Sequence, residues 1–377
     1  MEGKARPMKL LHTADLHLGA RFVSLGGKGE AQRRQLLATF ERVIDLAVEE
    51  KVDAVLISGD LFDSTSPSAA TLEKARLLLA RLARDKIHAF IIPGTHDHLG
   101  PSSVWRVTPI GGDTIEVFTE TGAVRVPDLD LTVHAFVAEG KTAGPGSLSN
   151  LRRTGESRIE IGMMHGSLAI PGLVEDDALL FTEREARETG LDYLALGHWH
   201  SFSRKEFGSV IGCYPGSPEM VATDQKGAGS VAIVTIGPEG TQVEQRTVGK
   251  RRFDSLQIDV GLLASASEVE QKILARADED LVLEVTLSGL CSLNLGIEAD
   301  KLAGELSDAF FVLKIKDASH PPLDDALLSG LSPHTVAGRF AEIMRERVEQ
   351  ADEEERDVCE EALRLGVALL EGRTVLE

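Results

Sequence analysis

The sequence predicts an α/β fold with parallel strands. Three observations carry this. Short apolar runs alternate with longer segments of helical period, and each run stops at a glycine or a metal-ligand type of side chain. The run-helix-run order also repeats through the first hundred or so residues, the pattern of right-handed βαβ crossovers.

Lys9 to Thr13 reads as a buried strand running straight into Ala14-Asp15-Leu16-His17. After the glycine-rich loop Leu25 to Gly29, residues Leu36, Phe40, Val43, Ile44 and Ala47 recur at helical spacing and mark a crossover helix. Val52 to Ser58 is the next strand and delivers Gly59-Asp60. Ser66-Pro67 offers an N-cap with proline at the first helical position, and Leu72, Ala75, Leu79 and Leu82 form the inward face that follows. Ala89 to Pro93 ends in Gly94-Thr95-His96-Asp97-His98. Parallel strands place all three polar clusters at neighbouring carboxyl ends, where open α/β sheets bind their ligands.

Shorter strands are expected between Ile115 and Val137, and Glu139 to Arg158 reads as a loop rich in glycine and serine. Ile159 to Met164 returns as a strand ending at His165-Gly166-Ser167. Thr182 to Glu185 is a capping box, and Gly190 terminates its helix. Asp192 to Leu196 is a strand leading into Gly197-His198-Trp199-His200, and Tyr214 to Pro218 is turn-rich. Gly229 to Ile236 and Gly240 to Val248 form a hairpin. The pattern then changes. Strands at Phe253 to Val260, Leu281 to Leu287 and Phe310 to Ile315, with helices opening at Ser267 and Asp300, describe a small α+β unit without ligand residues. A linker, Asp317 to Pro322, precedes two helices, one opening at Ser332-Pro333 and one carrying Val358, Ala362, Leu365 and Leu369. The expected division is 1–250, 251–317 and 318–377.

A net charge of −20 argues against holding nucleic acid by bulk electrostatics, so any such contact must be local. Arg33, Arg34, Arg152 and Arg153 are the candidates for local phosphate contacts, with ordinary solvated surface as the alternative reading. Cys213, Cys291 and Cys359 stand too far apart in sequence for a zinc knuckle and suggest no disulfide framework, which fits a reducing cytoplasm. No apolar run is long enough to span a bilayer, so no membrane partner is expected.

Collected in order, the strand-end residues are Asp15, His17, Asp60, Thr95, His96, Asp97, His165, His198 and His200. Mixed imidazole and carboxylate ligands suit Mn, Fe or Zn better than Ca. A pair of ions needs a ligand that serves both, and a carboxylate has two oxygens and a full charge. Asp60 is the natural bridge. Asp15, His17 and His200 would complete one site; His165 and His198 would complete the other. His96 would stabilise charge at phosphorus or protonate the leaving oxygen, with Asp97 orienting its ring.

The order Asp-x-His, Gly-Asp, Gly-x-His-Asp, His-Gly, Gly-x-His resembles the calcineurin-like metallophosphoesterases. Leu-His-Thr-Ala-Asp-Leu-His-Leu-Gly, Gly-Asp-Leu-Phe-Asp and the Tyr-Pro-Gly-Ser-Pro loop resemble the SbcD-type DNA repair exonucleases among them. The resemblance implies a central β-sandwich flanked by helices, a small capping domain, and C-terminal helices that dock on an SbcC-like coiled-coil ATPase. It implies Mn-dependent 3′→5′ exonuclease and endonuclease activity on DNA, and family members often form homodimers. One position departs from the pattern. Where the family has a metal-binding Asn, this chain has Thr95, a poorer neutral ligand, so weaker or more selective occupancy of the second site is expected. Two other functions fit the same residues: a phosphodiesterase or phosphatase for small nucleotides or phosphoproteins, and a catalytically weak structural subunit of an ATPase complex.

Overall fold

The computed structural model describes residues 6–108, 110–138, 140, 148–149, 151–174, 177, 179–222, 227–289, 297–319, 328, 330–370 and 372. Cys291, His320, most of the 139–150 loop and the far end of the expected linker lie outside them. The chain divides into two compact units, Met1–Phe253 and Asp254–Glu377.

The first unit is built on two six-stranded sheets. β1 (Met8–Thr13), β2 (Ala54–Ser58), β3 (His88–Ile92) and β4 (Ile115–Val117) run parallel in the first sheet. Helices α1 (Gly29–Glu49) and α2 (Ala69–Arg84) make the crossovers, and a short α3 (Val104–Val107) precedes β4. The expected cap of α2 moves by two residues. Ser68, not Ser66, accepts from Thr71 N, and Pro67 stands outside the helix. Buried Leu36, Phe40, Val43, Ile44 and Ala47 show that the periodic face of α1 turns inward.

The second sheet contains β5 (Gly122–Val126), β6 (Leu131–Ala135), β7 (Ile159–His165), and, after the two-stranded β8 (Ser167–Leu168) and β9 (Leu180–Phe181), β10 (Tyr193–Gly197). Helix α4 (Glu183–Glu188) carries the full capping box of Thr182 and Glu185. β11 (Ser203–Phe207) and β12 (Val210–Tyr214) finish this sheet, in the order β11-β12-β10-β7-β6-β5. The hairpin β13 (Ser230–Gly237) and β14 (Gly240–Thr247) returns to the first sheet, where β13 runs antiparallel to β1.

Polar groups tie the sheets together as well as apolar ones. His12 on β1 is buried between Tyr193 OH at 2.8 Å and Ser58 Oγ at 3.0 Å, and Ser58 Oγ donates to Ala195 O at 3.1 Å. Every one of these groups is satisfied, which burial of a polar side chain requires.

β15 (Arg252–Asp259) leads from the first unit into the second, where it joins β16 (Asp278–Ser288) and β17 (Phe310–Asp317) in a three-stranded sheet that shares an apolar cluster with α5 (Ala266–Leu274) and α6 (Ala299–Leu306). α7 (Val336–Gln350) and α8 (Glu353–Leu370) share another cluster around Ala341, Leu363 and Val367. The cap of α7 is Thr335, which accepts from Gly338 N, rather than Ser332. α5 likewise starts at Ala266, one residue before the expected Ser267.

Candidate metal centre

The site forms where β1, β2, β3, β7 and β10 end. Past β1 the backbone is held against the turn after β2: Asp15 N donates to Gly59 O at 3.1 Å and His17 N to Asp60 O at 2.9 Å. Three of the residues involved, Asp15, His17 and Asp60, have positive φ, as does His198, at 54°, 47°, 51° and 102°. Four of the eight non-glycine residues with positive φ among the described residues are thus ligand-type side chains at these strand ends, a conformation that costs energy and persists where the surroundings hold it.

Gly59 and Gly94 are there for space. A Cβ on Gly59, which also has φ of 93°, would stand 2.2 Å from His165 Nδ1; one on Gly94 would stand 2.3 Å from Asp60 Oδ1. Asp60 Oδ1 accepts instead from His96 N at 2.8 Å. Its Oδ2 faces His165 Nε2 at 3.3 Å and His17 Nε2 at 3.7 Å, so one carboxylate looks toward both halves of the site. His200 Nε2 lies 3.7 Å from Asp15 Oδ1 and 3.3 Å from His17 Nε2.

Three overlapping sets of ligand atoms each fall within 4.8 Å: Asp15, His17 and His200; Asp15, Asp60 and His165; His17, Asp60 and His96. His198 turns its Nε2 to Asp177 at 3.1 Å, while its ring stands 5.2 Å from that of His165. Thr95 Oγ1 donates to Asp60 Oδ2 at 3.4 Å.

These residues fit divalent cations. His165 is fully buried; its Nδ1 donates to Ser58 O at 2.9 Å, and its Nε2 is a buried atom without an aligned hydrogen-bond partner. A ring pinned through one nitrogen with the other aimed at a carboxylate is the arrangement of a metal-ligating histidine. Charge agrees. Burial opposes protonation of His165, yet the charges of Asp60 and Asp15 push its pKa up to about 10. Burial likewise opposes protonation of His17, but the Asp63 hydrogen bond and the Asp60 and Asp15 charges raise it. Burial alone would raise Asp60; the imidazoles of His165 and His17 and the His96 amide hold it well below the ordinary carboxylate range. Where carboxylates raise the proton affinity of buried imidazoles, a divalent cation competes for the same nitrogens.

Two corrections concern the residues around His96. Asp97 does not orient that ring: its two oxygens accept from Phe62 N at 3.0 Å and Gly94 N at 2.7 Å, so it braces the turns after β2 and β3. Burial and the nearby Asp60 charge push its pKa up to about 7. The carboxylate beside His96 is Asp63, 3.6 Å from His96 Nδ1 and 3.3 Å from His17 Nδ1. Sequence reasoning missed this role, although Asp63 closes the Gly-Asp-Leu-Phe-Asp run. His96 itself is half exposed, with its ring 4.6 Å from that of His17.

The arginines do not join the cluster. Arg152 pairs with Glu188 at 3.1 Å, and Arg153 with Asp192 at 2.6 Å, at the amino end of β10, opposite the end that carries His198. Arg33 donates to Arg21 O and Arg34 pairs with Glu30, on the exposed first turns of α1. Behind the site, Ser217 of the Tyr214 to Pro218 loop donates from Oγ to Asp15 O and from its backbone N to His200 O.

Residues 8–202 match the family described as calcineurin-like phosphoesterase. The DNA double-strand break repair protein Mre11 of Methanosarcina mazei is 28% identical over 258 residues, which are 66% of this chain and 39% of that protein. An uncharacterized metallophosphoesterase, YhaO of Bacillus subtilis, is 30% identical over 228 residues, 56% of this chain and 53% of that protein. This chain thus spans about half or less of the length of these curated relatives. A crystal structure of a Thermus thermophilus protein superposes with a TM-score of 0.43 at 13% identity, over 64% of this chain and 99% of that one.

Proposed function

This chain belongs to the calcineurin-like phosphoesterase family, and from that premise we propose that it hydrolyses phosphodiester bonds in DNA as a repair nuclease. The observation that carries the reading is the shared Asp60 carboxylate, whose Oδ2 faces both His17 and His165, within overlapping ligand sets that also include Asp15, His96 and His200. The naming of the Methanosarcina relative as a DNA double-strand break repair protein supports DNA as the substrate.

Asp60, Asp15, His17 and His200 would hold one divalent ion; Asp60, His165 and His198, with Thr95 beside them, would hold the second. Divalent ions held there, Mn by preference with Fe or Zn as alternatives, would supply a nucleophile at neutral pH and offset charge on the phosphoryl oxygens. The residues do the positioning. His96, half exposed and within reach of His17 and Asp60, donates to a phosphoryl or leaving oxygen, and Asp63 next to its Nδ1 orients it. The His96 amide and Gly94 fix the Asp60 carboxylate from behind. The four arginines are retained only as remote backbone contacts, because their side chains are engaged on their own surface.

The unit at 251–317 is proposed as a capping domain, and the helices at 318–377 as the docking region for a coiled-coil ATPase. Exposed Val336, Ile343 and Val358 on α7 and α8 support the second assignment. The cytoplasm is the proposed compartment; no helix among the described residues is long and apolar enough to cross a membrane. The test is Mn-dependent turnover of end-labelled duplex DNA against a cyclic nucleotide and a chromogenic diester. Shortening of the labelled strand is expected. Turnover confined to the small substrates would move the protein to the nucleotide phosphodiesterases, which its acidic charge would suit.

A further inference from the structure

Asp177 belongs to no motif in the sequence, yet it holds one of the site's histidines. Its carboxylate lies 3.1 and 3.2 Å from His198 Nε2. It is itself fixed: Ser167 Oγ donates to Asp177 Oδ2, and Trp199 Nε1 donates to Ser167 Oγ at 2.9 Å. Trp199 stacks on Tyr214 with ring centres 4.4 Å apart, so the relay ends in packed aromatic side chains.

We propose that Asp177 is the positioning residue of the second metal site, fixing the tautomer of His198 so that Nδ1 is its ligand atom. This rests on the two-metal reading but not on DNA being the substrate. A carboxylate can only accept, so the His198 nitrogen facing it carries the proton and the other presents a lone pair. His165 and His17 are pinned the opposite way. Their Nδ1 atoms face Ser58 O and Asp63, and their Nε2 atoms face Asp60. His198 therefore binds through the nitrogen the other two do not use. A carboxylate partner also raises the basicity of a ligating imidazole. That counts more here than with an amide ligand at position 95, because Thr95 Oγ1 is directed to Asp60.

The test combines metal titration with ring-nitrogen NMR on the full chain. In the metal-free wild type, long-range nitrogen correlation spectra should show His198 protonated at Nε2 and bare at Nδ1. Calorimetry with Mn should give two ions. Asp177→Asn can donate to Nε2 and favour the other tautomer, as amides do beside histidine. It should lower the second affinity by about 10–100-fold and leave the first within about twofold, while Asp177→Glu restores most of the loss. Wild-type His198 protonated at Nδ1, or an Asp177→Asn protein that binds both ions as tightly as wild type, would overturn the assignment. A wild type that binds fewer than two ions would overturn the two-metal reading and this inference with it, and would show before any variant is made.

Discussion

Acidification should destabilise this protein through His12, and the size of the effect can be worked from its surroundings. The ring is fully buried and burial lowers its pKa from 6.5 to about 3. The folded state keeps it neutral, whereas the unfolded chain takes up a proton below 6.5. Stability is therefore fully present above 6.5, falls as pH drops through that value, and goes on falling to about 3. At 1.36 kcal/mol per unit, lowering the pH to about 5 costs about 2 kcal/mol, a large part of an ordinary folding free energy of about 5–15 kcal/mol. Asp97, whose pKa is pushed up to about 7, gains stability as pH falls through the same range, so the His12 contribution is read as a difference between wild type and variant. His165 and His17 do not enter it. Their pKa values are raised, so the stability they contribute is complete below 6.5 and is lost only as pH rises above it, toward about 10 for His165. His12→Gln keeps groups able to meet Tyr193 and Ser58 but cannot titrate. Urea unfolding should be followed by tryptophan fluorescence, since both tryptophans, Trp105 and Trp199, lie in the first unit. The stability gap between wild type and variant should shrink by about 2 kcal/mol between neutral pH and about pH 5. A gap that does not change with pH would refute the reasoning.

Other perturbations follow from the same geometry. Gly59→Ala combines a positive φ with a Cβ 2.2 Å from His165 Nδ1. It should cost about 3 kcal/mol or more in thermal melts, and an unchanged melting temperature would show that the turn relaxes freely. Thr95→Asn brings a carbonyl oxygen to the Asp60 side of the site and should tighten the second Mn ion on the order of tenfold by calorimetry; equal or weaker binding would remove the explanation given for Thr95. Asp63→Asn loosens both His17 and His96, so it should lower first-ion affinity and turnover by about 10–100-fold each. A loss of turnover with first-ion binding intact would confine Asp63 to His96.

The ligand positions were legible in the sequence because each sits where an apolar run stops. In parallel strands those stops must converge: Asp15, Asp60 and His198 follow β1, β2 and β10 within two residues, and His165 is the last residue of β7. The helices were legible from period, and the capping box placed the start of α4, but the starts of α2, α5 and α7 were not: Ser66 and Ser68 are both chemically able to cap α2, and only the chain path chooses Ser68. β11 and β12 were both missed. Ser203 to Phe207 is a polar edge strand whose only fully buried side chain is Phe207, and Val210 to Tyr214 is a short run broken by Gly212, whose last residue, Tyr214, reads as the start of a turn. Asp97 and Asp63 show a different limit. Both are carboxylates near His96 in sequence or in space, and adjacency favoured Asp97; the backbone turns that carboxylate to Phe62 N and Gly94 N and leaves Asp63 facing the ring. Asp177 had no signal at all, because its partner is 21 residues away across the β8 and β9 region.

A two-ion site requires Asp60 to serve both ions. The direct measurement is a crystal of the full chain soaked in Mn, with anomalous scattering used to place the ions. Two peaks are expected about 3.5–4 Å apart, each with an Asp60 oxygen at roughly 2.2 Å. A single peak, or two peaks of which Asp60 touches one, would contradict the two-metal reading.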